Sequence, residues 1–362
     1  MSRMLIQVPI TVIINKIGKR NSIILGNISQ VVSLLILIFS NNLLFLYVRE
    51  FFSATAFALK TVAESGILRD SVPKSKIRGD IYSRIFGRGV SWYSKAAAVS
   101  IVISGFLYVI NPYIPIVLCL AVAVLATLIS ICFNNTEQLE ENKVEVDKTF
   151  KGSIKDLKEG FKIILKSSRL KSLFLMNGII WGLICLLATY YATLLKDLNI
   201  TAYYIGIIIA MLELMVGVGA KKANWFNTKF KNKSLTLIGL LISFSTAVVG
   251  ASVIFKIPFV FLMVNILVFY FLTYILKGIF TILKARYLSN FTNSKNVTKI
   301  FAVNGIAVSI GRAGASYLGG QLLLYMPIEH AMLCIGIIFS IVVLIMYRLV
   351  KNKVGMLGTN PA

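Results

Sequence analysis

Along most of its length the chain alternates long apolar runs with short polar breaks, and the runs are too long for strands. A helix needs about 20 mostly apolar residues to cross the hydrocarbon of a bilayer. By that measure the pattern predicts spans near residues 2–14, 22–40, 43–66, 88–109, 114–133, 172–194, 203–222, 235–254, 258–283, 298–324 and 328–349. That makes eleven spans, the first one short. The sharpest break, Asn15 to Asn21, is a tight basic turn between the first two runs. Gly18 supplies its backbone freedom, and Lys16, Lys19 and Arg20 supply its charge.

Composition narrows the class. With 57% hydrophobic and 14% charged residues, the chain has more apolar surface than a soluble domain can bury, so the fold class is all-α and polytopic. A net charge of +24 would suit nucleic acid if it formed a patch, but Lys and Arg sit in short loops between spans. Loops 15–21, 69–88, 134–171, 221–234, 284–299 and 347–353 are basic, whereas 41–42, 110–113, 195–202, 255–257 and 325–327 are nearly uncharged. The two sets alternate without exception. The basic set therefore lies in the cytoplasm against anionic lipid, with the carboxyl terminus on that side, and nucleic acid is excluded as a partner. Cys119, Cys132, Cys185 and Cys334 lie in apolar runs without metal-ligand spacing, and the one histidine, His330, sits at a span end. No cofactor or metal is expected.

Asn134 to Lys171 is the long connection. Its first part is acidic. Its second, Phe150 to Leu165, sets Phe150, Ile154, Leu157, Phe161 and Ile164 against a lysine-rich face, which predicts an amphipathic helix on the membrane surface. The expected organisation is an N-terminal bundle over 1–133, a linker over 134–171, a C-terminal six-helix bundle over 172–350 and a tail over 351–362. The bundles share sequence. Lys16-Ile17, Arg20 and Gly26 align without a gap on Lys229-Phe230, Lys233 and Gly239, and Arg84 to Pro112 aligns on Lys299 to Pro327. Paired matches at nearly one offset indicate an internal duplication. Two spans precede the loop copy at Lys229 but only one precedes Asn15, so one helix is expected to be missing at the start, through a misassigned first methionine or a truncated gene.

These features resemble the major facilitator superfamily. Its loop pattern, Gly-x-x-x-Asp-Arg-x-Gly-Arg-Lys, corresponds here to Thr11, Asn15, Lys16, Gly18, Lys19 and Arg20, preceded by Pro9. Thr11 and Asn15 depart from it, and the carboxylate lost at Asn15 is one that would help lock a cytoplasmic gate. Glu64 to Ser71, Tyr82 to Arg88 and Leu157 to Lys166 are similar to bacterial drug-efflux members. The resemblance implies two pseudo-symmetric helical bundles, eleven of the usual twelve transmembrane helices, and a bacterial plasma membrane. It places Pro9, Asn15, Lys16, Gly18, Lys19, Arg20 and Glu64 at the cytoplasmic gate. The fourth family helix normally carries an Arg; here Glu50 takes that slot beside Arg49, and Ser100-Ile101 replaces the antiporters' Gly-Pro.

An ionisable group inside a span costs at least about 2.5–3.5 kcal/mol, so each one is a candidate site. They are Arg49, Glu50, Lys60, Glu64, Lys95, Glu213, Lys277 and Arg312. Glu213 shares a face with Gly206, Ala210, Gly217 and Ala220; Arg312 shares one with Gly305, Ser309, Ser316 and Gly319. Tyr270, Thr273, Tyr274, Lys277 and Thr281 form a polar stripe at helical spacing, and Asn177, Trp181 and Cys185 form a thinner one. The substrate or ion pathway is expected to use Glu50, Lys95, Trp181, Glu213, Tyr274, Lys277 and Arg312. Two readings of Glu213 stand side by side: a structural ion pair with Arg312 or Lys277, and a carboxylate that carries a proton or contacts a cationic substrate. The expected function is secondary transport of a small molecule by alternating access, as efflux of amphipathic compounds with protons as a candidate coupling ion. The alternatives are an inactive truncated remnant and a membrane-embedded enzyme. Against the enzyme, no His/Asp/Glu cluster with acid–base or metal spacing lies at a span end.

Overall fold

The computed structural model of the protein describes residues 14, 17–40, 42–72, 78–132, 150–290 and 297–350. They form α1 (Lys19–Ile38), α2 (Leu43–Asp70), α3 (Arg78–Ile110), α4 (Tyr113–Ile131), α5 (Phe150–Lys166) and α6 (Ser168–Asp197). Then follow α7 (Ala202–Phe230), α8 (Ser234–Ile254), α9 (Phe259–Asn290), α10 (Val297–Tyr325) and α11 (Ile328–Val350). Every described element is helical, as the apolar pattern requires. Ten helices coincide with predicted spans and α5 with the predicted linker helix. The first predicted span, 2–14, lies almost wholly outside the described residues, as do Pro9, Asn15 and Lys16.

Local chemistry sets the helix starts. Asn42 Oδ1 accepts from the Phe45 amide at 3.1 Å to open α2, and Asn111 Oδ1 accepts from the Tyr113 amide at 2.8 Å to open α4. Pro112, Pro258 and Pro327 each stand just before a helix, where the missing N–H costs nothing. Eight of the described helices are long and apolar enough to cross a membrane. Charged residues lower α2 below that standard, and Gly, Ser and Arg312 lower α10. On α4 only Ser130 is buried, so this almost wholly apolar helix turns nearly all its side chains outward. Such a surface is stable against lipid and not against water.

The described helices divide between two compact units. The first draws on the stretches Met1–Arg78, Phe106–Lys166 and Thr292–Ser309. In it α1 packs on both α2 and α4. Ile14, Ala54, Ala58, Leu59 and Val62 form a buried apolar cluster there. Gly26 lies so close to α2 that a Cβ on it would sit 2.9 Å from Lys60 Cγ. Ser33 Oγ donates to the Arg49 carbonyl at 3.1 Å, Asn27 Nδ2 to the Ala126 carbonyl at 3.3 Å, and the Arg20 guanidinium to the Ile131 carbonyl.

The second unit draws on Gly79–Gly105, Ser167–Phe291 and Ile310–Ala362. Here α7 packs on α9, and α8 on α9 and α11. Between lipid-solvated helices the hydrophobic effect supplies no drive, so close van der Waals contact through small residues takes its place. Gly219 of α7 lies against the Ile275 carbonyl, and Gly278 of α9 against the Val216 carbonyl. A Cβ on Gly182 of α6 would stand 2.6 Å from the Gly311 carbonyl oxygen of α10, and one on Gly250 of α8 would stand 2.6 Å from the Glu329 carbonyl oxygen of α11.

The positions aligned by the loop repeat share backbone character. Gly18 has φ 84°, and Lys231, its counterpart in that alignment, has φ 40°. Gly26 and its counterpart Gly239 are both helix contacts, the second with Val343 at 3.1 Å from an added Cβ. Positive φ is easy for glycine and strained for lysine, so the second loop makes its turn at a cost that the first avoids.

Candidate functional site

The second unit holds a continuous polar seam along α9, and it begins in aromatic rings. Tyr191 of α6 stacks on Tyr270 of α9 with ring centroids 3.5 Å apart and planes 15° from parallel. The Tyr191 hydroxyl donates to Thr273 Oγ1 at 3.1 Å, and the Tyr274 ring lies 6.5 Å from that of Tyr191. Tyr270, Tyr191 and Tyr274 are all buried. The Tyr270 hydroxyl, equally buried, meets no hydrogen-bond partner among the described residues.

The next turn of α9 carries Lys277. Its Nζ donates to Glu213 Oε1 of α7 at 2.9 Å, and both side chains are 21% exposed. The same ammonium sits 4.6 Å from the centroid of the Tyr274 ring. The pair is thus a charge-assisted hydrogen bond at the edge of an aromatic cluster, partly shielded and still reachable. Of the two partners that the sequence offers Glu213, the structure selects Lys277 and not Arg312. The reason lies in the helix crossing: Gly278 lets α9 approach α7 to backbone contact, and its neighbour Lys277 is carried to the carboxylate with it. Thr281 does not join the seam's contacts, because its hydroxyl turns back to the Lys277 carbonyl at 2.8 Å.

Further along, Trp181 of α6 packs 6.2 Å from Phe280, and Lys284 Nζ lies 4.9 Å from the Trp181 ring centroid. The buried Trp181 Nε1 has no acceptor among the described residues. Arg312 of α10 stands within electrostatic reach of Lys284. Sequence reasoning missed Lys284 by ending the span at 283 and assigning the lysine to a loop, whereas α9 runs on to Asn290. The signal was present: Ala285, Tyr287 and Leu288 continue the buried face. Past Lys284, Tyr287 donates to Asn227 Oδ1 at 2.6 Å and its hydroxyl lies 3.2 Å from Ser234 Oγ, tying α9 to the end of α7 and the start of α8.

The remaining expected residues lie elsewhere. Arg49 and Glu50 of α2 lie 3.7 Å apart and are partly exposed. Lys95 of α3 is exposed over the Trp92 ring at 4.5 Å. Of the gate residues, Gly18 adopts its positive φ, Arg20 binds the end of α4, and the Lys19 stem lies across Gly66 of α2. Glu64 is exposed within electrostatic reach of Lys60, one turn away. Among the described residues no three His, Cys, Asp or Glu side chains gather as a metal site would need.

Comparison with known proteins places this geometry in a family context. The sequence profile described as Major Facilitator Superfamily matches residues 2–263. A search of curated proteins finds no match. Among solved structures, the chain resembles the proton:xylose symporter XylE bound to 6-bromo-6-deoxy-D-glucose, with a TM-score of 0.68 at 12% identity, covering 98% of this chain and 86% of that one. It also resembles the E. coli fucose:proton symporter FucP, with a TM-score of 0.66 at 13% identity over 96% of this chain and 87% of that one. At these identities the likeness is one of fold.

Proposed function

Because the chain belongs to the major facilitator superfamily, we propose that it is a secondary transporter carrying a small amphipathic molecule by alternating access, in the efflux direction and coupled to protons. The observation that carries this reading is the Glu213–Lys277 pair, 2.9 Å apart beside Tyr274. A carboxylate held by an ammonium inside a membrane span is costly, which marks it as a functional candidate, and a proton on the carboxylate can replace that ammonium. The tyrosine rings offer flat apolar surface next to it, which suits an amphipathic solute better than a multiply charged one. The names of both structural neighbours specify proton symport, which agrees with coupling to protons. The basic loops support a plasma-membrane orientation with the carboxyl terminus in the cytoplasm, resting on anionic lipid.

The test is reconstitution of the full chain in liposomes with an imposed pH gradient, using fluorescent amphipathic dyes as cargo. Flux that follows the gradient and collapses with a protonophore is the expected result. Dye movement no faster than in protein-free liposomes, across cationic, neutral and anionic dyes, would refute transport of this class.

A further inference from the structure

Several basic side chains approach the α9 seam: Arg286, near its end, donates to Asn224 Oδ1 at 3.5 Å, and Lys277, Lys284 and Arg312 differ in their counter-ions. Lys277 is matched by Glu213 at 2.9 Å. Lys284 and Arg312 meet no carboxylate among the described residues; Arg312 follows Gly311, whose carbonyl oxygen lies 2.6 Å from a Cβ placed on Gly182, the residue after Trp181, and Lys284 is within electrostatic reach of Arg312. Both are partly buried, Lys284 lies in the apolar stretch Phe259–Leu288, and Arg312 stands in the middle of α10. Two neighbouring cations in a low-dielectric setting repel each other and forfeit hydration, so an anion that joins them is held strongly. Trp181 adds an independent sign. Its ring face receives the Lys284 ammonium at 4.9 Å, and its buried Nε1 is a donor without an acceptor. A guanidinium, an ammonium and an indole N–H are all donors, and none of the three can accept. The chemistry they jointly recognise is an oxyanion, with the guanidinium fork suited to a planar carboxylate.

We propose that Lys284, Arg312 and Trp181 form a binding subsite for the single anionic group of the transported solute, so that the substrate class is a monoanionic amphipath. This rests on the transport reading above and refines it: the apolar body lies along the aromatic seam and the carboxylate lies at the cation pair. The Glu213–Lys277 bridge keeps Lys277 from competing for the anion, which separates the coupling carboxylate from the substrate-binding charges along one helix.

The test measures binding without any gradient, so that it stands apart from transport. Full-length protein in phosphatidylcholine nanodiscs is titrated calorimetrically with 4-butylbenzoate, with 4-butylbenzamide and 4-butylbenzylammonium as neutral and cationic controls and protein-free nanodiscs as the blank. Benzoate is expected to bind saturably, and the two controls at least about tenfold more weakly, the loss of one charged hydrogen bond. Lys284→Gln and Arg312→Gln should each weaken benzoate by at least about tenfold and leave the amide unchanged. If either glutamine variant fails to fold, Lys284→Arg and Trp181→Phe take its place; the first should retain benzoate preference and the second should reduce it. Equal affinity for all three probes, or benzoate affinity untouched by the substitutions, would overturn the subsite. Nanodiscs containing phosphatidylglycerol separate the remaining source of the same chemistry: competition by that lipid would make a headgroup the occupant and overturn the solute assignment. Intact benzoate binding with no flux in liposomes would sink the transport reading and leave the anion site standing.

Discussion

Replacing Glu213 by Gln leaves Lys277 with a neutral amide where it had a carboxylate 2.9 Å away. An exposed ion pair is worth about 0–1 kcal/mol, and breaking a fully buried one costs about 3–5 kcal/mol. With both side chains 21% exposed, the pair lies between these limits, and about 2 kcal/mol is expected for either single substitution. That is a large part of a folding stability of about 5–15 kcal/mol, and it lowers the melting temperature by about 4–8 °C for a unit of this size. The double variant Glu213→Gln/Lys277→Gln removes both charges together and should cost less than the sum of the singles, by about 1–2 kcal/mol. Arg312→Gln combined with Glu213→Gln should show no such recovery, because Arg312 is not the partner. Thermal melts in detergent give the cycle, and gradient-driven flux in liposomes gives the function of each folded variant. Folded Glu213→Gln protein is expected to lose coupling to the proton gradient. Additive costs for the Glu213 and Lys277 changes would refute the pairing, and full gradient-driven flux by Glu213→Gln would remove the carboxylate from coupling.

Other substitutions address packing, hydrogen bonding and topology. Gly182→Ala drives a methyl against the Gly311 carbonyl oxygen, 2.6 Å from the new carbon, and should cost about 2–3 kcal/mol in a melt. Tyr287→Phe removes the 2.6 Å bond to Asn227 and the contact with Ser234, for an expected loss of about 1–3 kcal/mol. Tyr270→Phe removes a buried hydroxyl without a partner and should raise the melting temperature slightly while changing solute affinity. Cysteine tags at Asn42 and Thr359 should label from opposite faces of the membrane; labelling from one face would refute the eleven-span reading.

The helices were legible because lipid imposes a length and a polarity that water does not. The predicted edges of the described spans fall within a few residues of the observed ones except where a helix continues past the apolar core. α7 runs to Phe230 and α9 to Asn290, through lysines that the apolar criterion treats as loop. Lys284 was lost for that reason. The small-residue face of Glu213 was readable only in part: Gly217 meets Ser94 of α3, Gly206 meets nothing within 4 Å, and the contact with α9 is made by Gly219, which lies off that face. Which helix each face meets was not readable: Glu213 finds Lys277 because Gly219 and Gly278 set the crossing of α7 on α9, and a one-dimensional pattern carries no crossing partner. Arg312 and Trp181 were named from the sequence, but their grouping with Lys284 was not readable for the same reason, because the three residues come from three different helices.

The backbone contact of Gly219 with Ile275 and of Gly278 with Val216 also sets a clock. It pins α7 to α9 beside Glu213 and Lys277, so those two residues cannot be drawn apart by sliding one helix past the other. Their bridge opens by side-chain rotation alone. Rotamer changes outpace collective helix and domain motions, which take microseconds to milliseconds. On the proton-coupled reading, protonation of this carboxylate is therefore a rapid pre-equilibrium, complete within each conformation before the slower step begins. On the same reading, the rate of turnover depends on how the protonated and unprotonated states of Glu213 tilt that slow step, and hardly at all on how fast the proton arrives.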